Sequence, residues 1–151
     1  MSAQPGYPGA RLSLPEKGPG AVATFGRRLV AILVDWLLCQ LIAYGVWHVE
    51  WGATGGESFV PLAIFAVENL VLVSTLGTTV GHRLLGLQVL RLLPVPVDTP
   101  AGRTRVVGPP GFRAGLIRTV LLCLVVPALI PDADNRGLHD RAAGTVILRA
   151  R

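Results

Sequence analysis

Two apolar runs, each about as long as a bilayer core is thick, constrain this chain more than any other feature. The first is 29–47 (LVAILVDWLLCQLIAYGVW) and the second is 59–80 (FVPLAIFAVENLVLVSTLGTTV). A spanning helix needs about 20 mostly apolar residues. Each run carries a single carboxylate, Asp35 in the first and Glu68 in the second. An ionisable group at such a position costs about 2.5–3.5 kcal/mol on insertion scales, so it has to face a partner or a polar cavity. Hydrophobic residues make up 51% of the 151, and the mean hydropathy is +0.55. Together these features predict an integral membrane protein.

The charge pattern gives an orientation. Fourteen basic residues face 9 acidic ones, for a net charge of +5, and every basic residue except Lys17 is arginine. A basic excess is also a mark of nucleic-acid binding. Here, however, the arginines flank the apolar runs, where they hold cytoplasmic ends beside anionic lipid, and no nucleic-acid partner is expected. Arg27 and Arg28 precede the first run. Arg83, Arg91, Arg103, Arg105 and Arg113 follow the second. The connection 48–58 (HVEWGATGGES) has no Lys or Arg, and Trp47 and Trp51 bracket its start as interfacial aromatics do. The expected topology is multi-pass, with a cytoplasmic N-terminus, the first loop outside and the second inside.

Residues 1–24 are rich in Pro and Gly, with little to bury, and are expected to be a disordered tail. No cleavable signal peptide is apparent. In the second loop, Gly86–Leu93 fits neither the helical nor the strand period cleanly, so a short strand and an interfacial helix both stay open. Pro94, Pro96, Pro100, Pro109 and Pro110 exclude a long helix beyond it. A third apolar segment, 114–131 (AGLIRTVLLCLVVPALIP), contains Arg118 and Pro127. Only residues 119–130 are free of charge, about 18 Å of helix against a core of about 30 Å. Thr145–Arg149 (TVILR) and Leu87–Arg91 (LQVLR) are both short apolar runs ending in arginine, and they pair as strands only if they share a side. These points predict that 114–131 re-enters or lies tilted, broken near Pro127, with a cytoplasmic tail. The fold class is therefore an all-α membrane bundle: two clear transmembrane helices plus a third apolar helix, span or re-entrant.

Arg28 and Asp35 share a helix face two turns apart, about 10 Å, too far for direct contact. Each should meet another helix. Arg118 lies at a depth similar to Asp35, which suggests that Arg118 neutralises it. Glu68 is deeper, with no obvious basic partner, and satisfying it across a helix–helix interface would mean self-association through the second span. Thr75, Thr78 and Thr79 offer hydroxyls that either serve as ligands or bond their own backbone. Cys39 and Cys123 fall within apolar segments and indicate no disulfide framework. His48, His82 and His139 lack metal-ligand spacing. No serine or cysteine has a nucleophile setting and no phosphate-binding loop is present. Neither a cofactor nor an enzymatic activity is expected.

Three patterns in order resemble the RDD family of bacterial membrane proteins. The first is Arg28 followed by Asp35 in the first helix. The second is Thr79-Val80-Gly81-His82 followed by Gly86-Leu87-Gln88-Val89, with His82 where members commonly carry lysine. The third is Arg136-Gly137-Leu138-His139-Asp140 followed by Ala143-Gly144-Thr145. The resemblance covers about 25–149 and implies that Asp140 is the second signature aspartate and that the location is a bacterial plasma membrane. It implies no settled activity, although ion transport or antiport has been suggested within the family. Arg28, Asp35, Glu68, Arg118 and Asp140 are the candidate residues, either as a structural polar clasp or as an ion-coupling set. Two functions stay open: a non-catalytic module that binds the lipid bilayer and a membrane partner or a second copy of itself, and a small oligomeric cation or proton transporter.

Overall fold

The computed structural model describes residues 6–94, 104–124, 130–132 and 134–151. Helix α1 spans Phe25–Trp47. Its buried residues are Arg28, Ala31, Asp35, Cys39 and Ala43, which recur every three or four positions and so form one stripe. Val30, Leu33, Leu37, Leu41 and Tyr44 point outward and are exposed. Polar and small residues thus face inward and large aliphatic ones outward, the reverse of a soluble core helix. The second apolar helix runs over Gly55–Leu76. Only 22% and 28% of the apolar windows in these two helices are buried, whereas the core helix of a soluble protein would be mostly covered.

The second helix is not uniform. It comprises α2 (Phe59–Glu68), a π-helical turn (Asn69–Val73) and α3 (Ser74–Leu76). A π turn widens the ladder and frees a carbonyl. Asn69 Nδ2 donates to Phe65 O at 3.1 Å, a carbonyl that the Asn69 backbone N–H also reaches. Gly77, at φ 68°, ends the helix in a conformation that disfavours a side chain. A Cβ there would also lie 2.6 Å from the Val89 carbonyl oxygen. After this stop comes α4 (Val80–Leu84), so the second apolar run is broken before its end. Helix α5 (Gly111–Cys123) packs on the second helix, with Gly115 against Ser74.

A three-stranded antiparallel sheet caps one end, in the order β2–β1–β3, with β1 Leu87–Pro94, β2 Thr104–Val107 and β3 Thr145–Arg149. Its presence corrects the all-α expectation, because β-branched and leucine side chains bury against the helix ends while the backbone pairs along β1. The register sets Leu87 opposite Arg149 and Arg91 opposite Thr145, which are the two short runs that end in arginine. Of the two readings open for Gly86–Leu93, the strand is the one formed. The pairing also holds the C-terminal tail on the same side as the loop between the second helix and α5. Helix α5 has 13 residues, about 20 Å, too short for a full crossing. The expected break near Pro127 lies outside the described residues, as do Pro96, Pro100 and Arg103.

The expectation of a disordered tail is also corrected for residues 6–24. Val22 bridges to Leu148, and Ala23 N donates to Ile147 O at 2.9 Å. Leu14 and Val22 join Val146 and Leu148 in a buried cluster. The exposed edge of β3 offers backbone groups that need partners, and the Pro/Gly-rich segment supplies them.

Candidate functional site

Two polar clusters sit where α1 meets the sheet end of the bundle. The first is centred on Asp35. Its Oδ2 accepts from the Thr79 hydroxyl at 2.5 Å, and its Oδ1 accepts from the Gly81 backbone N–H at 2.6 Å. Thr79 is the N-cap of α4, where its hydroxyl oxygen accepts from His82 N at 3.2 Å. The same oxygen lies 2.5 Å from His82 Nδ1. With the hydroxyl proton committed to Asp35, the imidazole donates Nδ1–H to Thr79. Gly81 permits this geometry: a Cβ there would run into the Ala31 carbonyl oxygen and lie 3.0 Å from Asp35 Cγ.

The second cluster is centred on Asp140, on α6 (Leu138–Ala143). Asp140 is 0% exposed. Arg118 from α5 donates Nη1–H to its Oδ1, Thr145 Oγ1 donates to the same oxygen at 2.9 Å, and Arg28 Nη1 lies 3.6 Å from Oδ2. His139 Nε2 is 3.2 Å from Oδ2. One carboxylate therefore ties α1, α5, α6 and β3 together. Burial alone would raise the Asp140 carboxyl, but Arg118, His139, the Thr145 hydroxyl and Arg28 together hold it below the usual carboxylate range.

The two clusters meet at a small cavity with about 20 Å³ of room for the centre of a water molecule, lined by Arg28, His82, Arg118 and His139 together with Phe25 and Ile32. Arg28 Nε and Nη2 and Arg118 Nε are buried there without a hydrogen-bond acceptor among the described residues. A cavity of this size holds one water or two, each able to accept from such donors. Among the described residues, no group of three or more His, Cys, Asp or Glu side chains has the proximity a metal ion needs.

His82 is 2% exposed. Burial lowers its pKa to about 3, and the neighbouring charge of Arg118 acts in the same direction while Asp140 opposes it. A folded pKa below the unfolded value of about 6.5 means that the unfolded chain binds the proton first as pH falls. His82 therefore costs nothing above pH 6.5 and withdraws stability progressively from there down to about pH 3. Melting of the detergent-solubilised protein is expected to drop across that window, and His82→Asn to flatten the drop. An unchanged pH profile in the variant would show that another group titrates.

The structure separates the five candidates differently from the sequence reading. Arg28, Arg118 and Asp140 come together. Asp35 joins Thr79 and Gly81 instead of Arg118, which corrects the expected Asp35–Arg118 pair. Depth along two helices matches many pairs; the azimuth of Arg118 turns it to α6, while Asp35 faces the start of α4. Glu68 borders the first cluster, with its carboxyl within reach of the Val80 backbone N–H and of the Asp35 charge. Its Oε2 accepts from Cys39 Sγ at 3.2 Å, so it does have a partner within the chain. Of Thr75, Thr78 and Thr79, Thr75 bonds its own helix backbone at Val71 O, 2.6 Å away, and Thr79 is the one that reaches a carboxylate. Thr145 and Gly81 were missed as contributors.

The family model of the RDD family matches residues 22–144, which takes in both clusters except Thr145. The chain belongs to the RDD family. Within the matched range, Arg28, Asp35 and Asp140 organise the two clusters. Family membership and two long apolar helices make this RDD protein a membrane protein. Neither curated proteins nor solved structures provide a match.

Proposed function

We propose that this RDD protein is a non-catalytic, multi-pass module of a bacterial plasma membrane that works by assembling with itself or with another membrane protein. The observation that carries this reading is the use of the charged side chains. Asp140 takes up Arg28 and Arg118, and Asp35 takes up α4, so the charges lock the fold from inside. What α1 and the second helix turn outward is apolar: Leu33, Leu37 and Leu41 on one, Phe59, Val67 and Val71 on the other. Helix surfaces of this kind pack on lipid or on another helix. The N-terminus and sheet are assigned to the cytoplasm because Arg27 and Arg83 are exposed at that end, while the opposite loop has exposed Trp47 and Trp51 and no Lys or Arg.

A second reading, proton or cation coupling, is favoured by one feature: the continuous hydrogen-bonded path from Asp35 through Thr79 to His82 and the cavity beyond it. Reconstitution in liposomes separates the two. The expected result is a crosslinked species larger than a monomer, together with proton and cation flux no higher than in protein-free vesicles. Flux that disappears in Asp35→Asn, with melting unchanged, would replace the first reading with the second.

A further inference from the structure

Six of the arginines of this chain fall into two groups. Arg28, Arg118 and Arg136 are each paired with an aspartate. Arg91 from β1, Arg113 from the first turn of α5 and Arg141 from α6 have no ion pair among the described residues, yet they converge on one groove of about 410 Å³. The rest of that groove is uncharged, with Ala114 and Ile117 along the α5 wall. No acidic residue lines it. Three like charges brought to one place from three separate elements repel each other unless an anion sits among them.

The position of the groove narrows the identity of the anion. Arg28, at the start of α1, marks the bilayer boundary at the sheet end, and the shared Asp140 puts Arg118 at the same level. Arg113 lies five residues before Arg118 on α5, about 7.5 Å farther out. That reaches the outer part of the headgroup layer, which is about 5–7.5 Å thick on each side. Along the same helix, Phe112, Leu116, Val120 and Leu124 recur at every fourth position and are exposed, 61%, 52%, 53% and 62%. A positive groove at headgroup depth beside an apolar stripe running into the hydrocarbon matches an anionic amphiphile in both halves.

We propose that the Arg91–Arg113–Arg141 groove is a binding site for the phosphate headgroup of an anionic phospholipid in the leaflet on the sheet side, with an acyl chain lying along the apolar stripe of α5. A soluble phosphate would use the arginines and leave the stripe unused. The headgroup fixes the start of α5 relative to β1 and α6.

Native mass spectrometry of the full chain, loaded with phosphatidylglycerol or phosphatidylcholine and exchanged into detergent, tests this. The wild type is expected to retain one phosphatidylglycerol and to discriminate against phosphatidylcholine at least tenfold. Replacing Arg91, Arg113 and Arg141 with Gln removes that retained lipid, whereas replacing Arg27, Arg83 and Arg151 with Gln, an equal charge change at exposed boundary positions, leaves it. Should the triple variant fail to fold, Arg113→Gln alone is expected to lower retention severalfold. Equal loss in both triple variants would mean a diffuse field and overturn the site. Retention in the groove variant, or equal retention of phosphatidylcholine, would overturn it as well. Inorganic phosphate at millimolar concentration that displaces the lipid and raises melting to the same extent would assign the groove to a soluble phosphate.

Discussion

Asp140→Asn is expected to cost about 3–5 kcal/mol, the range for removing one partner of a buried ion pair. The reason lies in what stays behind. Asparagine fills the same space but leaves the Arg28 and Arg118 guanidiniums, 4% and 2% exposed, without a counter-charge. Membrane accumulation and detergent melting should both fall steeply. Arg118→Leu is expected to fall as well, and the double variant Asp140→Asn with Arg118→Leu to lose less than the sum, since it removes one buried charge of each sign. Full additivity would show that the two side chains are energetically independent. The same carboxylate sets an acid limit. Its folded pKa is depressed, so its stabilisation is present above the unfolded value of about 3.9 and is lost as pH falls through the lower folded value. Loss from this group therefore begins at about pH 3.9, in the acid half of the window assigned to His82.

Gly81→Ala is the second large effect expected, about 3 kcal/mol, at the upper end for inserting a methyl group into packed surroundings. The added Cβ meets backbone, the Ala31 carbonyl, which cannot rotate away. Helix α4 would have to move off α1, and the Gly81 N–H bond to Asp35 would lengthen with it. Gly45, also on α1, has nothing within 4 Å of its Cβ position and makes the natural control. Gly45→Ala should leave melting unchanged or slightly raised, because alanine is the better helix former. If both variants melt alike, close approach of α4 to α1 is not what Gly81 provides.

Much of this architecture is legible in the sequence, and the parts that are not have specific physical reasons. Length and apolarity alone mark both long helices. The β1–β3 pair is visible because TVILR and LQVLR have matching lengths and the same terminal arginine. Strand β2 is not, since four residues among prolines and glycines carry too little pattern. The π turn leaves no periodic trace, and only Asn69 hints at it. Partner choice is the larger gap. A helix period gives Asp35 its face and depth but not the element it meets, and Thr79 and Gly81 come from a segment that reads as the end of an apolar run. The Cys39–Glu68 contact escaped because a thiol is a weak donor and reads as a small hydrophobe. The segment 6–24 looked unburied because its contribution is mostly backbone, pairing along β3.

The contact between Arg28 and Asp140 also sets an order of events during synthesis. Arg28 and Asp35 enter the bilayer with the first helix, long before their partners exist. Asp35 waits for Thr79 and Gly81, which follow directly after the second helix. Arg28 waits for Asp140, far along the chain, and β3 beyond it has to reach back to β1. Until that stretch emerges from the ribosome, a cationic side chain stays unneutralised at the membrane boundary and the sheet lacks a strand. Contacts so distant in sequence form slowly, so the nascent protein passes through an incomplete form. A chain truncated before Asp140 would remain in that form, which makes residues 138–149 the step that commits this protein to its mature state.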